Sequence, residues 1–257
     1  MLKKLISTKT ISYNGKVGCY LAFVAGSVNA GGFLAIGRYT SHMTGIASQI
    51  ADSAFLKQYD VAIIAILSIL AFMLGAITST FLINLGKLLR MKAHYAFVLL
   101  LEGLFILAFG ILASYFAHEK TLILYTLCFL MGLQNATMTK ISSAQIRTTH
   151  VTGMVTDIAI ELGKMLAMLI LPKRSYYQIH INYRNLKLYS ATLLTFIFGG
   201  ICGAFGFGVY GYLYVIPLSA ILLIIAIPVL YYDFSVRRRL KRIRISQHKI
   251  KTIGWFQ

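Results

Sequence analysis

Thr40-Ser41-His42-Met43-Thr44-Gly45 is a polar signature in an otherwise apolar chain, and it recurs as Thr148-Thr149-His150-Val151-Thr152-Gly153. The apolar segments before the two copies also match, since Gly26-Ser27-Val28-Asn29-Ala30 corresponds to Gly132-Leu133-Gln134-Asn135-Ala136. The segments after them match as well, at Phe72, Gly75, Ile77 and Phe81 and at Phe196, Gly199, Ile201 and Phe205. Three matches in the same order predict an internal duplication, because Asn, His and Thr are not common filler in apolar segments.

The composition excludes most classes of soluble protein. Of 257 residues, 58% are apolar and only 12% are charged, whereas soluble domains carry about a quarter charged residues. The formal net charge is +18. A soluble nucleic-acid-binding domain would not be this apolar, and neither would a disordered chain. The values favour an all-α, polytopic transmembrane helical bundle with basic loops.

Six stretches are long and apolar enough to cross a hydrocarbon core of about 30 Å. They are 17–36, 61–84, 94–117, 121–139, 188–209 and 211–232. Two further stretches, 43–56 and 150–171, follow the signatures and contain polar or charged residues. Each of these two is interpreted as a span, a re-entrant helix or an interfacial helix.

The distribution of positive charge favours six spans with both termini cytoplasmic. In that arrangement 22 of the 25 lysines and arginines lie inside, and only Arg38, Lys57 and Lys120 lie outside, as the positive-inside rule requires. If both ambiguous stretches crossed, the cations near Lys87 and Lys140 would face outward. The eight-span alternative stays open because 150–171 is long enough to cross.

Six spans divide into two halves of three, 17–117 and 121–232. An odd number of spans per half gives the halves opposite orientations, which is the inverted-repeat plan of many transporters. Eight spans would give parallel repeats. The expected organisation is a basic cytoplasmic N-terminus (1–16), one transmembrane domain (17–232) and a basic cytoplasmic tail (233–257).

The paired signatures resemble those of the YoaK-type family of bacterial integral membrane proteins of unknown function. The resemblance rests on Asn29-Ala30 with His42-Met43-Thr44-Gly45, and on Gln134-Asn135-Ala136 with the second signature and Thr156-Asp157. It covers about 17–232. It implies a protein of the bacterial cytoplasmic (inner) membrane, and it brings no catalytic residues and no substrate.

Each signature predicts a helix N-terminus. Thr and Ser are good N-caps, and the free N–H groups of a first helical turn favour an anion or a polar group. In an inverted repeat two such starts can point to one shared site. The predicted lining of a solute path is Asn29, His42, Thr44, Gly45, Asn135, His150, Thr152 and Gly153. In the alternative interpretation these residues hydrogen-bond helix to helix.

Three acidic residues are candidates for proton coupling, because ionisable groups within membrane segments are costly unless they function. Glu102 stands alone in the third span. Asp157 and Glu161 share one helix face with Lys164, and a self-neutralised face is the alternative for them. Gly199-x-x-x-Gly203 in the fifth span predicts close helix packing.

These features predict a transporter or channel for a small polar or anionic solute, with proton coupling as an option. A non-transporting scaffold or sensor is the alternative. No enzyme motif is present, so we expect no catalytic residue, metal or cofactor. The C-terminal cations are expected to meet anionic lipid head groups, and no nucleic-acid partner is expected.

Overall fold

The computed structural model describes residues 11–116, 118–142, 148–170 and 179–253, and the regular elements in these ranges are all helical. The all-α prediction is therefore confirmed for this part of the chain. Residues 1–10 of the basic N-terminus, 171–178 of the basic loop and 254–257 of the tail lie outside the described residues. The helices are α1 Ile11–Ile36, α2 Met43–Phe55, α3 Tyr59–Leu88, α4 His94–Tyr115, α5 Lys120–Ile141, α6 Val151–Ile170, α7 Tyr183–Tyr210 and α8 Val215–Ile253.

Five helical stretches in the described residues are long and apolar enough to cross a membrane. Four of them correspond to α1, α3, α4 and α5. The fifth, Tyr183–Arg239, has 57 residues and contains both 188–209 and 211–232. A 3-10 turn at Gly211–Tyr214 divides it. Gly211 begins this turn with a positive φ of 57°, a conformation that glycine adopts without strain.

The lateral surface of the bundle is apolar and its interior contains many small residues. Along α3, Ile63, Leu74 and Ile77 are each more than half exposed, whereas Gly75 and Ser79 are buried. Soluble proteins place large apolar side chains inside, so this pattern fits a helix that faces lipid on one side and packs closely on the other. The chain is therefore a membrane-type helical protein.

The first close helix pair joins α1 to α7. A side chain at Gly26 would overlap the backbone of Phe196, and one at Gly199 would overlap the backbone of Phe23. The Ser27 hydroxyl donates to the Gly199 carbonyl at 2.7 Å. Contacts advance in the same direction along both helices, from Gly15 with Leu188 to Gly31 with Phe207. The two helices are therefore parallel, and the Gly199-x-x-x-Gly203 face is used for packing as predicted.

The second close pair, α3 with α5, repeats these contacts. A side chain at Gly132 would overlap the backbone of Phe72, and one at Gly75 would overlap the backbone of Phe129. The hydroxyls of Ser79 and Thr137 share a hydrogen bond of 2.8 Å one turn further along. These two helices are also parallel. Each of the two pairs joins one helix from the first half of the chain to one from the second half.

Helix α4 runs opposite to α8 and to α5. It meets α8 at Gly110 with Val215 and at Gly103 with Leu222, so the order of contacts is reversed. It meets α5 through ring contact of Phe105 with Phe129, and at its other end through the Tyr95 hydroxyl, which donates to the Lys140 carbonyl at 3.2 Å. A main apolar core lies among α1, α4, α5 and α8, with Leu21, Leu99, Leu127 and Leu222 buried in it.

Helix α8 continues past its apolar part to Ile253, so the predicted basic tail begins as helix. At this boundary Asp233 is buried and accepts a long hydrogen bond from the Ala93 backbone N–H, at 3.4 Å. Arg237 lies 3.5 Å from Asp233 and donates to the Leu89 carbonyl at 3.0 Å. The α3–α4 turn is thereby fastened to α8 at the point where cations begin.

The two signature helices start within the bundle. Asn29, two turns before the end of α1, binds the backbone of Ser41, so the chain turns back from Ile36 before α2 begins. Asn135 stands in the same relation to Thr149 and the start of α6. Helix α2 then leads to the start of α3, and Glu161 of α6 reaches the Asn182 backbone at the start of α7. Each signature helix therefore connects the turn after one long helix to the start of the next.

The glycine contacts predict a large and local effect on stability. Gly132→Ala is expected to lower the free energy of unfolding by about 1–3 kcal/mol, because its methyl group meets backbone rather than a movable side chain. The matched control is Gly163→Ala in α6, where a side chain meets open space and where alanine favours the helix. Unfolding of the purified proteins in detergent measures both changes. Equal stability of Gly132→Ala and the unaltered protein would contradict the close packing.

Candidate functional site

One cavity of about 990 Å³ brings the two signatures together. Its wall is formed by both signatures and by parts of α1, α3, α5 and α7. The first half of the chain contributes Asn29, Tyr39, Ser41, His42, Met43, Thr44, Phe72 and Ala76. The second half contributes Gly132, Asn135, Ala136, Thr139, Lys140, Thr149, His150, Val151, Thr152 and Phe196.

Six of the eight residues predicted to line a solute path lie in this wall. Gly45 and Gly153 do not, and the structure gives them a different position. A side chain at Gly45 would overlap the His42 ring, and one at Gly153 would overlap the His150 ring. Both glycines therefore let a histidine ring lie across the first turn of the helix that follows it.

The Asn29 amide holds the first signature turn. Its Oδ1 accepts from the backbone N–H groups of Thr40 and Ser41, at 3.0 and 3.1 Å, and from the Ser41 hydroxyl at 3.1 Å. Three donors on one oxygen fix the turn against α1. Asn29 also borders the cavity.

The Asn135 amide holds the second signature turn in the same manner. Its Oδ1 accepts from the Thr149 backbone N–H at 3.3 Å and from the Thr148 hydroxyl at 3.1 Å, and its Nδ2 donates to the Thr149 hydroxyl. The bond to the backbone N–H of Ser41 or Thr149 is therefore common to both turns, and the other bonds differ.

The expected role of Thr and Ser as N-caps is wrong in the first copy. Helix α2 begins at Met43, so His42 is the N-cap residue, and its side chain makes no capping hydrogen bond. Helix α6 begins at Val151, directly after His150. The turns are held by an Asn of the preceding helix instead. Thr44 and Thr152 lie inside the first turns and are exposed to the cavity.

The cavity has basic and polar chemistry at one part of its wall. Its titratable lining residues other than Tyr39 are His42, His150 and Lys140, and none of the described residues around it is acidic. Lys140 makes no ion pair with a described residue. A wall with one unpaired cation and two helix starts is suited to a polar or anionic solute.

Glu102, the first acidic candidate, lies apart from the cavity in the core between α4 and α5. Its side chain is 1% exposed, and neither carboxyl oxygen has a hydrogen-bond partner among the described residues. The Gln134 amide lies beside it. That amide is also fully buried, and neither of its polar atoms is bonded to a described residue. Buried polar groups in proteins are nearly always bonded, so this pair stands out in the interior.

Asp157 and Glu161 do not reach the cavity wall. Asp157 is exposed on α6. Glu161 accepts from the Lys164 ammonium at 2.8 Å and from the Asn182 backbone N–H at 2.9 Å. These bonds, the first above all, hold the pKa of the Glu161 carboxyl below its usual value. Glu161 therefore ties α6 to the start of α7, and Lys164 pairs with Glu161.

Several lining residues were missed by the sequence analysis. Phe72 and Phe196 were recognised only as members of the repeat, and Thr139 and Lys140 were not singled out. A helical wheel on α5 gives the missing signal, because Ala136 and Lys140 lie one and two turns beyond Gly132 on the same face. Within the described residues, no group of three His, Cys, Asp or Glu side chains forms a candidate metal site.

Comparison with known proteins identifies one family. The family model described as "Protein of unknown function (DUF1275)" matches residues 17–228. No curated protein and no solved structure matches the chain.

The asparagine bonds predict that stability requires an oxygen acceptor at position 29 and does not require the NH₂ group of the amide. Asn29→Ala removes the acceptor for three donors and is expected to lower the free energy of unfolding by about 1–3 kcal/mol. Asn29→Asp keeps the acceptor and is expected to retain most of the stability. Unfolding of the two Asn29 variants in detergent measures the effect. An Asn29→Asp protein as unstable as Asn29→Ala would rule out this role.

Proposed function

The chain belongs to the DUF1275 family of proteins of unknown function, and we propose that it is a transporter or channel for a small polar or anionic solute. The family match confirms the resemblance to the YoaK-type proteins, and it assigns no solute. The observation that carries the proposal is the cavity between the two signatures. One space is bordered by the same three residues of each copy, which are Asn29, His42 and Thr44 in the first and Asn135, His150 and Thr152 in the second.

The proposed topology has six spans, α1, α3, α4, α5, α7 and α8. Helix directions support it, because each additional crossing reverses every later helix. If only α2 or only α6 also crossed, α1 and α7 would be antiparallel, whereas they are parallel. If both crossed, α4 and α8 would be parallel, whereas they are antiparallel. The observed directions agree with six crossings and disagree with seven or eight.

In this topology α2 and α6 are re-entrant helices that enter from opposite membrane faces. The support comes from the asparagine bonds, which place the start of each signature helix inside the bundle. Equivalent glycine contacts in the α1–α7 and α3–α5 pairs support an inverted repeat whose halves exchange helices. The cavity then lies where re-entrant helices meet in transporters built on this plan.

The topology predicts opposite accessibility for two loops. The native cysteines Cys19, Cys128 and Cys202 are first replaced, and one new cysteine is then introduced. Lys92→Cys is expected to face the inside of the cell, and His118→Cys the outside. An eight-span chain reverses both. Labelling with a membrane-impermeant maleimide, in intact cells and in inside-out vesicles, distinguishes the two. Labelling of Lys92→Cys in intact cells would refute the six-span arrangement.

We also propose a cytoplasmic (inner) membrane location with both termini inside, supported by the distribution of positive charge. In this orientation Arg237, Arg238 and Arg239 lie where α8 leaves the membrane. Arg237 is occupied by Asp233 and Leu89. Arg238 and Arg239 are exposed and are then available to anionic lipid head groups. We expect no catalytic activity and no cofactor.

Proton coupling is proposed for Glu102 rather than for Asp157 or Glu161. Glu102 is buried without a bonded partner among the described residues, whereas Glu161 is paired and Asp157 is exposed. An ionisable group within a membrane bundle is a functional candidate by default.

Flux into proteoliposomes tests the proposal. Chloride, phosphate and methanesulfonate remain ionised at pH 7 and cross protein-free bilayers slowly, so protein-dependent entry of any of them supports an anion path. Ala136→Phe places a ring in the cavity wall and is expected to slow entry, whereas Leu194→Phe on the lipid-facing surface (Leu194 65% exposed) is expected to leave it unchanged. If entry responds to a pH gradient, Glu102→Gln is expected to remove that response.

The alternative is a scaffold or sensor in which the polar repeat residues only hold helices together. The Oδ1 atoms of Asn29 and Asn135 already accept hydrogen bonds from the signature turns, which favours a structural role for these two residues. A correctly folded protein that passes no anion in this assay, nor the organic sulfonate used below, would support the alternative.

A further inference from the structure

Part of the cavity wall is apolar and is formed by α3, α5 and α7. The half-buried rings of Phe72 and Phe196 border the cavity, together with Ala76 and Ala136. These two phenylalanines have equivalent positions in the duplicated sequence. Aromatic rings at the wall of a cavity contact an apolar ligand surface favourably. An apolar surface of this kind offers no hydrogen bonds that could replace the water around an ion.

The cationic part of the wall lies further along α5. Gly132 packs on the backbone of Phe72, and Lys140 follows Gly132 by two helical turns on the same face. At 1.5 Å per residue the two positions are about 12 Å apart along the helix axis. The Lys140 carbonyl is bound by the Tyr95 hydroxyl, which anchors the end of α5. Its ammonium pairs with no described acid.

The cavity volume also favours an organic molecule over a small inorganic ion. A water molecule occupies about 30 Å³, so an inorganic anion would fill only a small part of 990 Å³. Cavities of several hundred Å³ are typical of sites for organic molecules, with mostly apolar walls and a few polar groups that fix orientation. The wall described here has that composition.

We propose that the solute is an organic anion with one charged head and an apolar body about 10 Å long. Its head, a carboxylate or sulfonate, is bound at Lys140. Its body lies between Phe72 and Phe196. This inference rests on the proposed function and narrows the solute class of the same cavity.

Binding of 3-phenylpropane-1-sulfonate to the full chain in nanodiscs tests the inference, with empty nanodiscs as the blank. Titration calorimetry is expected to show saturable binding at one site. Methanesulfonate, which lacks the body, and 3-phenylpropan-1-ol, which lacks the charge, are each expected to bind at least about tenfold more weakly.

Two pairs of variants locate the site. Lys140→Gln is expected to raise Kd by about tenfold or more, because a charged hydrogen-bond partner is lost. Lys87→Gln, an exposed lysine away from the cavity, is expected to leave Kd unchanged. Phe196→Ala is expected to raise Kd and Phe196→Leu to raise it less, whereas Phe205→Ala on the exposed face of α7 has no effect. Melting temperatures confirm that each variant is folded.

Each other outcome overturns the inference in a distinguishable way. If methanesulfonate and 3-phenylpropane-1-sulfonate bind equally well, the site does not recognise an apolar body. An anion path is still possible in that case. If 3-phenylpropan-1-ol binds as tightly as the sulfonate, the site does not recognise an anionic head. Binding that is unaffected by Lys140→Gln and by Phe196→Ala places the ligand elsewhere. If flux of inorganic anions is present but the phenyl compound does not bind, the proposed function survives and this inference fails.

Discussion

The rest of the structure depends on the contact of glycine with backbone in two helix pairs. Gly26 and Gly199 bring α1 against α7, and Gly75 and Gly132 bring α3 against α5, so closely that a methyl group would not fit. In a membrane there is little hydrophobic gain from helix association, so close van der Waals packing and short hydrogen bonds must supply it. Each pair takes one helix from each half of the chain. The two halves are thereby interlocked, and the space left between the pairs becomes the cavity.

Two asparagines then determine what borders that space. The amide oxygens of Asn29 and Asn135 hold the turns before α2 and α6 inside the bundle, where unpaired backbone N–H groups would be costly. His42 and His150 lie over the first turn of each helix because Gly45 and Gly153 leave room for their rings. The repeated signature therefore holds two turns in place before it contributes to the cavity. The chemistry of the cavity follows from what these turns expose, together with Lys140 and the two phenylalanines.

The acidic residues show why a sequence pattern predicts a candidate more readily than its role. Asp157, Glu161 and Lys164 looked equivalent on one helix face. Glu161 accepts a hydrogen bond from the Asn182 backbone at the start of α7, whereas Asp157 is exposed. Glu102 was predicted to be unusual because it is a lone acid in an apolar segment, and it is indeed buried. Its neighbour Gln134 comes from another helix, so no spacing in the sequence could identify it.

Composition, periodicity and the repeat determined by themselves that the chain is an all-helical membrane-type protein and which residues are its unusual polar ones. Local properties suffice for that, because burial in lipid requires long apolar helices and because duplicated polar residues stand out against them. Only the tertiary structure decided that Asn29 and Asn135 each fasten a turn, that Gly45 and Gly153 accommodate rings, and that Lys140 and Phe196 border the same cavity. These relations depend on which helices pair and in which direction. In this chain that pairing is decided by contacts between residues far apart in the sequence, such as Ser27 with Gly199 and Ser79 with Thr137.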